Sequence, residues 1–280
     1  MPKVAFLTSG GIAPCLSASI GGLIEKYNEL DPHIEMVGYM HGYRGLLLGK
    51  SVVFSNEVKK NYRVLYNFGG SPIGNSRVKL TNVEDCIKKG FVKKGENPLD
   101  VAAKQLEKDE IDILHTIGGD DTNTMAAALA KHLEKSGKSL TVVGLPKTVD
   151  NDVIPVKQTL GAWTAAEQGA RFFQNIVNEN TTSRRQLIIH EVMGRHCGWL
   201  TAGTALEYRK LLDKKEYLPD FFVSKNRWDV HAVYIPEKNV DFKSESVTFT
   251  RTIIDIINSI ELVRKYIQKD LRITIGVNMP

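Results

Sequence analysis

Short β-branched or apolar runs alternate with longer stretches of helical period along this chain, and at three places a glycine-rich or acidic cluster follows such a run directly. That alternation restricts the fold to the α/β class, because strands separated by helices assemble into a parallel sheet covered by helices on its faces. Strands are predicted over residues 4–8, 34–40, 111–117, 141–145, 186–192, 230–235 and 273–277. Helices are predicted over 14–29, 99–108, 122–134, 164–178 and 249–268. In the last of these Ile253, Ile257, Ile260, Val263 and Ile267 fall on one face at close to a 3.6-residue period, which predicts a core-facing stripe. The turn-rich stretch 146–161 is the natural place to divide the chain, giving a first domain over 1–161 and a second over 162–280. The chain stops at Pro280 straight after a strand-like run, so the second domain is expected to be incomplete at its C-terminus.

Composition narrows the classes that remain. With 42% hydrophobic and 25% charged residues the chain is expected to fold rather than stay disordered. No apolar run approaches the roughly 20 residues of a membrane span. The N-terminus enters a strand-like segment without a charged leader, so a cytoplasmic protein with no membrane partner is expected. Cys15, Cys86 and Cys197 are scattered and odd in number, suggesting neither a disulfide framework nor a zinc cluster. A formal charge of +5 suits small anionic substrates. No dense Lys/Arg stripe interleaved with aromatics marks a nucleic-acid surface, and the lysine runs at 59–60 and 88–94 read as solvated faces.

An open parallel sheet presents its ligand site at the carboxyl ends of its strands, which is where the clusters fall. The first is Ser9-Gly10-Gly11, opening the first helix, where backbone amides and a helix N-terminus can receive an anion. It lacks the Gly-Lys-Ser/Thr of a Walker loop, and a structural strand-to-helix turn reads the same way. The second is Gly118-Gly119-Asp120-Asp121. Its carboxylates are either helix-start caps or ligands for Mg²⁺ beside phosphate, since that ion takes one or two carboxylates plus waters and substrate oxygens. The third, Pro146-Lys147-Thr148-Val149-Asp150-Asn151-Asp152, gathers a cation, a hydroxyl and two carboxylates in one turn. Phosphoryl transfer to an alcohol needs a carboxylate to accept the hydroxyl proton and cations to hold the phosphates in line. A fourth segment, 191–199, sets Arg195 beside Gly194 as a candidate fork for phosphate or sugar oxygens, with His196 and Cys197 read as packing groups.

These clusters, TSGG, GGDD, PKTVDND and EVMGRHCGWLTA, occur in the order found in the phosphofructokinases, and the chain resembles that family over nearly its whole length. The resemblance implies two Rossmann-like parallel-sheet domains with the active site in the cleft between them, the first holding the phosphoryl donor and Mg²⁺, the second the sugar phosphate. It also implies a subclass. ATP-using members carry glycine where this chain has Asp121 and Lys147, whereas pyrophosphate-using members carry the acid and the lysine. A carboxylate at 121 would repel and crowd the α-phosphate of a nucleotide, and Lys147 would supply a cation beside the transferred group. By the same resemblance Asp150 is the base for the 1-hydroxyl of fructose 6-phosphate, with Lys147 and Asp121 in the catalytic set. Asp120 is the Mg²⁺ ligand and Asp152 a further metal-linked acid. Gly11 and Arg77 contact pyrophosphate, while Thr148, Val149, Asp150, Met193, Gly194, Arg195 and Glu237 contact the sugar phosphate. The reaction implied is reversible and gives fructose 1,6-bisphosphate and phosphate; allosteric regulation is not expected. Two departures stand out. Gln186 replaces an arginine of ATP-using tetramers, leaving Arg184 or Arg185 for a contact from one subunit to another, and the family continues well beyond Pro280. The expected assembly is a homo-oligomer, a dimer in the first place. The competing readings are an ATP-dependent 6-phosphofructokinase and a truncated chain that binds phosphates without turnover.

Overall fold

The first predicted strand forms over Lys3–Thr8 (β1), and its residues alternate between two cores as the two-residue period of a strand requires. Val4 and Phe6 pack on one side of the sheet, Ala5 and Leu7 on the other, and all four are fully buried. Such burial on both faces is the mark of a central strand in a helix-covered sheet, and each large apolar side chain so placed contributes about 1.5–3 kcal/mol. The computed structural model describes residues 2–11, 13–179, 186–194, 197–238 and 272–277, with 186–187 and 272–277 described by backbone alone.

The chain packs as two compact units, one comprising Met1–Val149 and Val153–Ala162, the other Asp150–Asp152 and Trp163–Pro280. In the first unit β1 is joined by Glu35–Tyr39 (β2), Ser51–Val53 (β3), Ile113–Gly118 (β4) and Thr141–Pro146 (β5), in the order β3-β2-β1-β4-β5. All pairings are parallel except β2 with β3, so this sheet is mixed at one edge rather than purely parallel. Leu16–Leu30 (α1) covers one face through Leu16, Ile20 and Ile24. Tyr43–Leu48 (α2), Pro98–Lys108 (α5) and Asp120–Lys135 (α6) cover the other through Leu46, Leu106 and Leu129. Between β3 and α5 lie the short helices Asn56–Lys60 (α3) and Val83–Lys88 (α4) and a 3₁₀ turn over Tyr62–Asn67.

The second unit contains Ala162–Glu179 (α7) from its second residue on, Gln186–Glu191 (β6), Trp199–Asp213 (α8), Lys225–Trp228 (α9), Ala232–Tyr234 (β7) and Arg272–Val277 (β8). The three strands are parallel in the order β6-β8-β7, and Ala170, Phe173, Val177, Tyr208, Leu212 and Val230 form a core beside them.

The structure moves one boundary that matters for chemistry. α6 starts at Asp120, not at residue 122, so the paired acids lie inside its first turn rather than in the loop before it. The elements between β2 and α5 were not expected, and neither was α8. Two of the residues that α8 buries are Thr201 and Thr204, which dilute the apolar stripe that would announce a helix. The helix predicted over 249–268 lies outside the described residues.

Candidate active site

Two glycine turns and one lysine meet at the carboxyl ends of β1, β4 and β5 in the first unit. Ser9 N–H donates to Ile117 O at 3.0 Å, so the Gly10-Gly11 turn leaves the sheet immediately after β1. Gly10 has a φ of 86°, a conformation that costs little only without a side chain. A Cβ on it would lie 3.4 Å from Thr122 Oγ1 and 3.6 Å from Gly119 N, which places this turn directly against the start of α6.

The stretch 69–77 is bonded to the same sheet end. Thr8 Oγ1 donates to Gly74 O at 2.9 Å, which leaves Ser71 as the donor in the 2.6 Å contact between the Ser71 and Thr8 hydroxyls. Ser76 O accepts from Ser9 Oγ at 2.8 Å and from Gly10 N–H at 2.9 Å. These bonds deliver the exposed Arg77 to the glycine turn.

At the start of α6, Gly119 is the N-cap in extended conformation, and the Asn123 amide donates to Gly118 O at 2.7 Å and to Gly119 O at 3.0 Å. Asp120 and Asp121 follow, exposed, where the helix dipole favours negative charge. Asp121 Oδ2 is 2.8 Å from Lys79 Nζ. Both groups are well solvated, so the pair contributes little to stability. Lys79 was missed by sequence reasoning; its only signal is that it lies two residues beyond Arg77 on the same stretch.

Lys147 is only 4% exposed, and its ammonium donates to Gly11 O while its own N–H donates to Gly118 O at 2.8 Å. Burial lowers its pKa, Cys15 counteracts this, and the positive charge of Arg77 lowers it further. A carbonyl carries no charge to neutralise an ammonium, so this contact leaves Lys147 able to interact with an anion. Thr148 follows with its carbonyl held by Thr159 Oγ1 at 2.7 Å, and Val149 ends this part of the first unit.

A second cluster lies within the other unit. Asp150 O accepts from the Cys197 thiol at 3.0 Å, and Gly198 N–H donates to Glu237 Oε1 at 2.7 Å. That backbone bond is the chief reason the Glu237 pKa is lowered. A Cβ on Gly198 would fall 2.3 Å from Ile235 Cβ, so the close packing of Ile235 against this turn requires glycine. The exposed Asp152 is near enough to help raise the Cys197 pKa, which burial raises most. The Cys197-Gly198 turn thus joins Asp150, Asp152 and Glu237. Met193 is exposed and Gly194 buried, while Arg195 and His196, like Arg184 and Arg185, lie outside the described residues.

The donor set at α6 fits Mg²⁺ bound partly by phosphate. Among the described residues no group of three or more His, Cys, Asp or Glu gathers into an all-protein cage. Mg²⁺ instead takes one or two carboxylates together with phosphate oxygens and water, which Asp120 beside a glycine turn can offer. A concavity of about 780 Å³ lies at the opposite sheet end of the first unit, between Lys3, Glu35, Glu107, Asp112 and Lys138. Its lysines are already paired with Glu35 and Glu107. Among the described residues no helix is long and apolar enough to cross a membrane.

A pyrophosphate–fructose 6-phosphate 1-phosphotransferase of Methylomonas methanica is 60% identical over 260 residues, covering 93% of this chain and 63% of that protein. The protein of the same description from Methylotuvimicrobium alcaliphilum is 58% identical over the same length and coverage. The chain therefore spans somewhat under two thirds of the length of these relatives. Its fold is similar to the crystal structure of a pyrophosphate-dependent phosphofructokinase from Marinobacter aquaeolei, with a TM-score of 0.69 at 20% identity over 99% of this chain and 60% of that one. The family described as phosphofructokinase matches residues 3–269, and with the glycine turns, the paired acids and the lysine in the order set out above, the chain belongs to the phosphofructokinase family.

Proposed function

We propose that this chain carries the machinery for reversible transfer of a phosphoryl group from pyrophosphate to the 1-hydroxyl of fructose 6-phosphate, giving fructose 1,6-bisphosphate and phosphate. The observation that carries the donor assignment is the buried Lys147 ammonium on the Gly11 carbonyl, with Asp121 held by Lys79 at the neighbouring helix start. A carboxylate in the first turn of α6 stands against a nucleotide's polyphosphate, and a lysine beside the glycine turn replaces binding that a nucleoside would otherwise provide.

In this reading the first domain, 1–161, holds the donor: Gly11 and Arg77 grip pyrophosphate, and Lys147 offsets charge that grows on the transferred group. Asp120 holds Mg²⁺, with Asp152 a further metal-linked acid. When bound, that ion supplies charge neutralisation of the phosphate oxygens. The second domain, 162–280, together with the turn at 148–150, holds the sugar phosphate through Thr148, Val149, Met193, Gly194, Arg195 and Glu237. Asp150 accepts the hydroxyl proton, and its backbone is held by the Cys197 thiol. The setting is cytoplasmic and the assembly a homodimer, the latter supported by the apolar groups Leu218, Phe221 and Phe222 standing exposed on the second unit.

The test is a coupled assay of fructose 1,6-bisphosphate formation with pyrophosphate or ATP, run beside direct titration of each donor. Turnover with pyrophosphate and none with ATP is expected. Turnover with ATP alone overturns the donor assignment, and binding of pyrophosphate without turnover identifies a phosphate-binding chain instead.

A further inference from the structure

Asn75 lies in a loop fixed on both sides. Before it, Gly74 has a φ of 73°, and a Cβ there would lie 2.5 Å from the His41 ring. After it, Ser76 O holds Gly10 N–H and Ser9 Oγ. From this fixed position Asn75 Nδ2 donates to Gly11 O at 3.3 Å and reaches Gly10 O at 3.5 Å. Two neighbouring carbonyl acceptors assign the orientation of the amide, because the flipped form would set oxygen against oxygen. Gly11 O also accepts from Lys147 Nζ. One carbonyl of the glycine turn is therefore held by an amide from one loop and an ammonium from another.

We propose that Asn75 is a positioning residue that keeps the carbonyl oxygens of Gly10 and Gly11 turned away from a bound pyrophosphate. The proposal rests on reading this turn as the phosphoryl-donor site. An anion at a glycine turn is bound by peptide N–H groups and repelled by peptide oxygens. In a trans peptide the two point in opposite directions, so a hold on Gly10 O turns the Gly11 N–H away from the 69–77 loop. Successive glycines have little steric preference of their own, and without an anchor either peptide could rotate to present its oxygen. Lys147 cannot serve as the permanent anchor, since a bound anion competes for its ammonium. Asn75 is neutral, has no such competitor, and keeps the carbonyl when the lysine turns to the ligand. Among the described residues Asn75 Oδ1 is buried with no hydrogen-bond partner. A residue serving the loop alone would avoid that cost with a smaller side chain, whereas an amide donor aimed at the turn cannot.

The test compares Asn75→Ala and Asn75→Asp with the unaltered chain by calorimetric titration with magnesium pyrophosphate, alongside the KM of each substrate and the melting temperature. Asn75→Ala is expected to weaken pyrophosphate binding about tenfold, near the loss of one hydrogen bond, and Asn75→Asp more, because a carboxylate then faces two carbonyls. The KM for fructose 6-phosphate is expected to stay within about twofold. Unaltered pyrophosphate affinity in both variants overturns the role of Asn75 alone. Equal losses for both substrates that follow the melting temperature also overturn it, as they show a structural role. An unaltered chain that binds no pyrophosphate overturns this proposal together with the donor assignment.

Discussion

Replacing Lys147 with methionine removes an ammonium and leaves a chain of nearly the same volume. Because the side chain is 4% exposed and donates to Gly11 O, the substitution deletes a charge-assisted hydrogen bond in a poorly hydrated place. Interactions of that kind contribute about 1.5–3 kcal/mol, which converts to roughly a 10- to 150-fold loss in kcat/KM for pyrophosphate. Stability should respond differently. Burying an ammonium is itself unfavourable, as the lowered pKa of Lys147 shows, so an apolar replacement of similar shape is expected to leave the melting temperature unchanged or raise it slightly. The assay is coupled turnover with pyrophosphate as the varied substrate, with a thermal melt on the same preparation. A loss under threefold, or a loss accompanied by a lower melting temperature, would refute the idea that Lys147 keeps its charge for the donor. The alkaline limb gives an independent check. Since the pKa is lowered, use of pyrophosphate should fall at lower pH than an ordinary lysine would allow, and Lys147→Arg should move that limb upward.

Other consequences follow from the same geometry. His115 is buried with its pKa pushed down to about 4, so the unfolded chain binds more protons between pH 4 and 6.5. Stability is therefore present above pH 6.5 and lost on acidification, about 2 kcal/mol between pH 7.5 and 5 in urea titrations, and His115→Gln should flatten that limb. Gly118→Ala would set a Cβ 2.3 Å from Thr122 Oγ1 beneath both glycine turns. A cost of about 1–3 kcal/mol or more, read by thermal melting, is expected, and unchanged stability would show that α6 can shift. Cys197→Ala removes the thiol that holds Asp150 O and should lower kcat without changing the KM for pyrophosphate; a change in that KM alone would contradict the contact's role.

Much of the fold could be read before the structure because local signals and tertiary packing agree. The runs at 4–8, 34–40, 111–117 and 141–145 became the parallel strands of the first unit; the first three are largely buried, as their β-branched and apolar residues suit, while β5 at the sheet edge stays partly exposed. The glycine turn after β1 and the glycine-acid cluster after β4 were legible for the same reason, as both punctuate strand-to-helix junctions. The burial of Lys147 was not, because it depends on three loops meeting at residues 11, 118 and 147. Nor could periodicity disclose the Lys79–Asp121 pair or the hold of Asn75 on the glycine carbonyls, which join residues 42 and 64 positions apart. The short elements between β2 and α5 escaped notice since helices of five or six residues show less than two turns of any stripe.

Donor choice is where the central claim is most exposed. The measurement is the ratio of kcat/KM for pyrophosphate to that for ATP, in the unaltered chain and in Asp121→Gly combined with Lys147→Gly. The unaltered chain should favour pyrophosphate strongly. The double variant should move the ratio toward ATP by roughly 100-fold or more, from the lost ammonium and the removed carboxylate repulsion together. A ratio that stays the same in both proteins would contradict the assignment of donor preference to Asp121 and Lys147.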